Sequence, residues 1–600
     1  MVTEPQMRED VPVEETWDLT DLFQTRDDFL KEIERFKKEY IIIATYRGKL
    51  NEGAKTLLEC LLTRDALTER MVRLVTYASL RVSADGTDPE NQHDAAIATS
   101  LLSEFSASIS FIESEILSLS EGRIEEYFNQ EQGLKDFQKQ LQDLMESKPH
   151  RLSDETEEAL ASFNEIHNAP FTIYQQSLQS DMTFPSFRTS DGKEFPLTFN
   201  NYPKYEESPD TEIRRKAYDA FIEGLNKYKN TYAATFATEV KKNIIEAKFR
   251  KFESATDMLL HQQQVTKDMY ENLLNTIFHR LAPHMRRYAK LKERVLGLEK
   301  IHYCDLKAPL VTDVNLTVTY EEAARMILDA VDIMGEQYKE IIKGGLENRW
   351  VDRADNIGKR SGAFCSSPYG VHPYILMTWN DSMRNVYTLA HELGHAVHFV
   401  LAGRNQRISN TRPSRYFIEA PSTMNERLLS HHLLKTTDPK MKRWIILESL
   451  GTYYHNFVTH LLEGELQRRI YEQAEQGIPV TTQLLCKLNM DVLADFWGDA
   501  VELDEGASLT WMRQPHYYMG LYSYTYSAGL TASTIAAKRI EVEGKPAVER
   551  WLSVLKAGGT LKPVDLMKLA GIDMTIPEPI EEAVDYVGSL IDELEKSFSE

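Results

Sequence analysis

His391-Glu392-Leu393-Gly394-His395 reads H-E-x-x-H inside a segment whose apolar residues recur at helical spacing. Val386, Leu389, Ala390, Leu393, Val397, Val400 and Leu401 mark the apolar positions. Asp381 or Ser382 can cap the N-terminus of this helix, and Gly403 can end it. Residues four apart on a helix differ by only about 40° around the axis, one turn up. Two imidazoles at that spacing converge on one point, where a Zn²⁺ ion can take a nitrogen from each. Glu392 follows the first histidine directly, so it stands beside that point and can take a proton from a water there.

A catalytic zinc usually has three protein ligands and keeps a position open for water. Phe417-Ile418-Glu419-Ala420-Pro421-Ser422-Thr423-Met424-Asn425-Glu426 offers two acids for the third place. Pro421 cannot sit inside a helix, so the chain starts or kinks there and Glu419 lies at a helix entrance where it can be aimed. Glu419 is preferred for that reason. Glu426 suits the other expected role, accepting from the distal N–H of a ligand histidine. His398 lies two turns after His391, about 10.8 Å along the axis, too far to share one ion with it. It is expected to line the site or to be a satisfied core histidine.

Tyr374-Ile375-Leu376-Met377-Thr378-Trp379 is a β-prone run that feeds into the histidine helix. It reads either as an edge strand able to hold an extended peptide through main-chain bonds, or as a buried structural strand. Far downstream lies a second dense constellation, Trp511 to Tyr526, which holds His516, Tyr517, Tyr518, Tyr522 and Tyr524. Phenol and imidazole donors can stabilise the negative charge that builds on a carbonyl oxygen during amide hydrolysis. Tyr517 and Tyr524, seven apart, can face one cleft; an aromatic cluster of this kind also serves as core.

Together these segments resemble the thimet-oligopeptidase-like zinc metallopeptidases, in their oligoendopeptidase F branch. The likeness rests on His391 to His398, on Phe417 to Ser422 and on the tyrosine-rich block from His516 to Tyr526. Trp17-Asp18-Leu19 and Lys359-Arg360-Ser361-Gly362-Ala363 also fit the branch, so the resemblance spans essentially the whole chain. It implies a mainly α, two-lobed helical body with a deep substrate channel and a small β element beside the zinc helix. It implies one Zn²⁺ per chain, held by His391, His395 and Glu419, with Glu392 as general base. His516, Tyr517 and Tyr524 would bind the tetrahedral intermediate; the histidine and the first tyrosine are more closely spaced here than in thimet oligopeptidase, so Tyr518 or Tyr522 could take one of those roles. The expected activity is cleavage of internal bonds in short, unstructured oligopeptides. The alternatives are an exopeptidase that releases dipeptides and a helical peptide-binding scaffold without catalysis.

The rest of the chain bounds these readings. At 600 residues, with 42% hydrophobic and 27% charged residues, it is long enough for a large buried core. A formal net charge of −23 argues against a nucleic-acid partner and against adsorption to anionic membranes. Cys60, Cys304, Cys365 and Cys486 are far apart, which fits reduced thiols and a cytoplasmic location. Met1 to Glu15 lacks the apolar core of a signal peptide, and the apolar run Tyr40 to Tyr46 is too short to cross a bilayer. Asn315-Leu316-Thr317 matches a glycosylation acceptor and reads as coincidence.

Long amphipathic stretches such as Asp28–Tyr46, Ala54–Val82, Asn91–Leu119 and Ile124–Met145 predict helices. The pattern breaks near residues 182–203, where Asp191-Gly192 between aromatic-rich runs predicts a hairpin. Ser208-Pro209 then predicts a helix start, with serine as cap. The expected organisation is an N-terminal helical lobe over residues 1–200 and a catalytic lobe over residues 201–600.

Overall fold

The computed structural model describes residues 6–311 and 317–599, so Asn315 and Leu316 of the acceptor tripeptide lie outside the described residues. The chain is mainly helical, with a few short strands. It divides into two compact units. The first comprises Met1–Lys148, Leu316–Lys435 and Ala536–Ile572, the second Pro149–Asn315, Thr436–Ile535 and Asp573–Glu600. These units interleave along the sequence, so they are not the consecutive lobes 1–200 and 201–600. A hairpin reads as a break from sequence alone; which distant segments share a core does not.

In the first unit the 31-residue helix Ala54–Ala84 buries Leu57, Leu61, Met71, Leu74 and Ala78. Helix Pro89–Ile109 packs beside it, with Asp88 as its cap and proline in its first turn. By length and composition alone the stretch Pro89–Ser118 could cross a membrane. Its Asp94 is fully buried and takes hydrogen bonds from Arg26 at 2.8 Å and Arg81 at 2.8 Å, the partnering a buried carboxylate needs. A three-stranded sheet runs in the order Val351–Asp352, Tyr374–Leu376, Phe364–Ser366. The first pair is parallel and the second antiparallel. The run that leads to the histidine helix is thus the central strand, and all three of its residues are fully buried. The outer strands are Val351–Asp352, which is buried, and Phe364–Ser366, a segment not singled out from sequence, whose three residues are half-buried. Trp17 packs edge-on against Tyr374, ring centroids 6.3 Å apart, and so ties the N-terminal turn to this sheet.

The second unit is built on the 39-residue helix Thr211–Phe249 and on Lys267–Val295, which packs along Glu578–Ser597. Asp210, not Ser208, caps the first of these, accepting from the backbone N–H of Glu212 and Ile213. The expected hairpin is present: Phe187–Arg188 pairs antiparallel with Glu194–Phe195. Gly192 turns the chain at φ +86°, a conformation glycine adopts without strain.

Candidate metal centre

The histidine helix spans Met383–Asn405, with the Ser382 hydroxyl accepting from the backbone N–H of Asn385 at 3.3 Å. It runs past Gly403. Leu389, Leu393 and Val397 are fully buried on its inner face, which leaves His391 and His395 half-buried on another.

A second helix, Ala420–Thr436, begins immediately after Glu419. Pro421 falls in its first turn, where a missing N–H removes no helical bond. The Glu419 carbonyl takes the first hydrogen bonds, from the Thr423 backbone N–H at 3.1 Å and from the hydroxyls of Thr423 and Ser422 at 2.8 and 2.9 Å. The Ser422 hydroxyl also reaches the Glu419 carboxylate, Oε2 at 3.1 Å. Asn425 locks the two helices together. Its amide donates to the Ala390 carbonyl at 2.9 Å, and its oxygen accepts from the Tyr338 hydroxyl at 2.6 Å.

The result is a convergent set. Glu419 Oε2 lies 3.4 Å from His391 Nε2 and 3.3 Å from His395 Nε2. Ligands at about 2.05 Å from a tetrahedral ion stand about 3.3 Å apart, so these three atoms fit one cation. Burial opposes charge on Glu419, but the bonds to His391 and His395 outweigh it and hold the carboxyl well below its usual range. His391 is likewise held well above the ordinary histidine value: desolvation lowers it, and Glu419 and Glu426 more than compensate. Glu426 Oε1 sits 2.6 Å from His391 Nδ1, the distal nitrogen, as expected for the second acid. Glu392 is buried, and burial raises its carboxyl pKa, with His391 and His395 pulling it back. His398 is fully buried and stacks on Phe399, with centroids 5.2 Å apart. It is a core residue, but neither ring nitrogen has a hydrogen-bond partner among the described residues, so it is not the satisfied core histidine expected.

A second histidine–carboxylate cluster, His460, Glu463 and His516, lies in the second unit. Glu463 was not singled out from sequence; the only local signal is its spacing of three from His460 on helix His460–Glu475. His516 stands on the short turn Pro515–Tyr518 and keeps part of its ring exposed. The rings beside it are Tyr522 and Tyr526, at centroid distances of 5.5 and 5.6 Å. Tyr517 is buried and stacks on Phe236 at 4.9 Å. Tyr524 is buried as well, its hydroxyl donating to Gln263 at 2.7 Å.

The model of peptidase family M3 matches residues 204–586, and that of oligopeptidase F matches residues 115–184. The chain belongs to peptidase family M3. The oligopeptidase PepF of Bacillus subtilis (strain 168) is 35% identical over 590 residues, covering 98% of this chain and 88% of that protein. The group B oligopeptidase PepB of Streptococcus agalactiae serotype III (strain NEM316) is 31% identical over 581 residues, 96% of each chain. Among solved structures, a peptidase from Chlamydophila abortus superposes with a TM-score of 0.92 at 26% identity, covering 99% of this chain and 100% of that one. Oligoendopeptidase-F from Enterococcus faecium gives 0.74 at 27% identity, covering 96% and 99%. This M3 member is therefore a metalloendopeptidase, an oligopeptidase acting on peptide substrates.

Proposed function

We propose that this chain is a zinc-dependent endopeptidase that cuts internal bonds of short, unstructured oligopeptides, with Glu392 as general base. One observation carries the reading: Glu419 Oε2 stands 3.4 Å from His391 Nε2 and 3.3 Å from His395 Nε2, all three atoms lie within 4.8 Å of one another, and a buried acid follows the first histidine in sequence. Two nitrogens and one oxygen suit Zn²⁺, and three protein ligands leave a coordination position free. Bound zinc supplies Lewis acidity to the scissile carbonyl and makes a water easier to deprotonate.

The chain's own residues do the rest. Glu392 takes the proton of the attacking water and hands it to the leaving amine; burial raises its pKa, which makes the carboxylate a better proton acceptor. Glu426 holds His391 in the tautomer whose Nε2 is free to coordinate. The unpaired edge of Phe364–Ser366, among the described residues, offers main-chain groups to an extended peptide, which favours unstructured substrates over folded ones. His516, Tyr517 and Tyr524 are proposed as donors to the developing oxyanion on the strength of the family resemblance. A Tyr→Phe series at 517, 518, 522 and 524 ranks the tyrosines by lost kcat. The four cysteines carry no disulfide, which fits action in the cytoplasm.

The test is Glu392→Gln on a fluorogenic peptide, with metal content measured alongside. Retained zinc with kcat lowered by about 10²–10⁴-fold supports the mechanism. Near-wild-type cleavage by the variant, or cleavage that survives exhaustive chelation, overturns it.

A further inference from the structure

A cavity of about 310 Å³ opens beside the histidine helix, one turn beyond His395. The helix supplies Phe399 and Arg404 to its wall. Residues 367–373, which follow the outer strand Phe364–Ser366 directly, supply another part, and Arg412 completes it. Tyr369 pins the segment after the strand, its hydroxyl donating to the Gln406 carbonyl at 3.0 Å. Every lining residue belongs to the same compact unit as His391, His395 and Glu419.

The charge of this wall is one-sided. Arg404 and Arg412 line it, and no Asp or Glu does. Burial lowers the third basic group, His372, below the ordinary histidine value and keeps it neutral at pH 7. Asp21 stands 3.6 Å from His372 Nε2 but does not line the cavity. Both arginines are exposed. Neither has a hydrogen bond or a carboxylate partner among the described residues, although the chain holds 92 acidic residues against 69 basic ones. Arg412 instead lies over the ring of Phe399, with Cζ 4.8 Å from the centroid, a contact that holds the guanidinium without using its N–H donors. Desolvation pulls Arg412 below the ordinary arginine value, and the Cys365 thiol is the group that opposes this. An adjacent acid would oppose it far more strongly.

The cavity also lies at a fixed reach from the metal centre. Phe399 stacks against His395, centroids 6.5 Å apart, and carries Arg412 on its ring. These separations put the guanidinium within about three residues of extended chain from the His395 ring, at about 3.4 Å per residue. On the outer strand, the Cys365 thiol lies in the field of both Glu392 and Arg412. A peptide held along that strand is led from the metal centre toward the cavity.

We propose that this cavity is a specificity subsite that takes a carboxylate of the bound peptide, held by Arg412 with help from Arg404, two or three residues from the cleaved bond. That carboxylate is an Asp or Glu side chain or the free C-terminus. The proposal rests on the endopeptidase reading above and names the substrate class that site prefers. A planar fork of donors meets a carboxylate with two parallel bonds.

The zinc-loaded protein is assayed on a short neutral fluorogenic peptide and on versions carrying Glu in place of Gln at one position each, every version made as free acid and as C-terminal amide. Glu at one position, or the free acid, should raise kcat/KM about tenfold over its neutral counterpart, the size of one good charged contact. The arm that responds tells side chain from terminus, and product masses should put the carboxylate two or three residues from the cut. Added salt should shrink the preference. In Arg412→Gln the ratio should fall to about one, and Arg412→Glu should reverse it, favouring Lys at the same position. Should Arg412→Gln not fold, Arg412→Lys decides: a point charge in place of the fork should cut the ratio about threefold, and an unchanged ratio overturns the proposal. A wild type that cleaves neutral peptides in a metal-dependent way but shows no carboxylate preference overturns this inference and leaves the endopeptidase reading standing. So does a preference that survives Arg412→Gln combined with Arg404→Gln. Cleavage that survives exhaustive chelation overturns the endopeptidase reading, and this inference with it.

Discussion

A β-carbon on Gly394 would stand 2.4 Å from the carbonyl oxygen of Pro421 and 2.7 Å from the Cα of Ser422. The variable positions of the H-E-x-x-H motif are therefore not free. Gly394 is where the helix that carries both histidines touches the backbone that aims Glu419. Gly394→Ala must push the two helices apart, since both clashing atoms are main chain. We expect about 1–3 kcal/mol lost from the thermal unfolding free energy and a sharp drop in metal content, because Glu419 shifts away from His391 and His395. Full metal occupancy in a well-folded Gly394→Ala protein would show that this approach does not set the ligand geometry.

Glu426 orients His391 from behind, at 2.6 Å from Nδ1. Glu426→Gln should weaken metal affinity about 10–100-fold, as loss of such a partner typically does. Competition with a chelator of known strength measures this. An unchanged dissociation constant would remove Glu426 from the account of the site.

Glu206 in the second unit is a buried carboxylate bound by Arg513 at 2.9 Å and Lys307 at 2.9 Å. Burial alone would raise its pKa, but the two cations bring it down to about 2 from an ordinary 4.5. A folded pKa below the unfolded one means the unfolded chain binds the proton first. The stabilisation is therefore complete above about 4.5 and is lost as pH falls toward about 2. Glu206→Gln should lower stability at neutral pH by about 1–3 kcal/mol, since it leaves two half-buried cations short of their partner. It should also flatten the acid limb of the stability profile. An acid limb as steep in the variant as in the wild type would contradict this.

His398 shows the opposite case. It is wedged against Phe399 and edge-on to Phe417, at 5.8 Å between centroids, with both ring nitrogens lacking a hydrogen-bond partner among the described residues. A buried polar group without a partner costs about 1–3 kcal/mol. His398→Leu should hold or raise the unfolding midpoint and leave metal content unchanged. A clear loss of stability would show that the imidazole makes an interaction beyond its ring packing.

Much of the candidate metal centre was legible in the sequence because its logic is local. The four-residue spacing of His391 and His395 needs only a helix. Pro421 announces a helix start, which gives Glu419 its aim, and Glu426 follows at a distance suited to a supporting acid. Two local readings missed, since Asp210 and not Ser208 caps its helix and helix Met383–Asn405 runs past Gly403; what the sequence left open or hid involves pairing across long stretches of chain. Tyr374–Leu376 carries an equally β-prone sequence whether central or at an edge, and it became central because Val351–Asp352 and Phe364–Ser366 claim its two sides. The cluster around Glu463 escaped notice because His516 lies 53 residues away from it.

By itself, then, the amino-acid order determined the helical character, the H-E-x-x-H spacing and the acids suited to stand beside it, since helix periodicity, caps and proline act over a few residues. Tertiary structure alone decided which strand presents an edge, which segments interleave into each of the two units, and which carboxylate meets His516. Those outcomes depend on closing long loops against a shared core, and the free energy of doing so is spread over many distant side chains instead of being written in any one stretch.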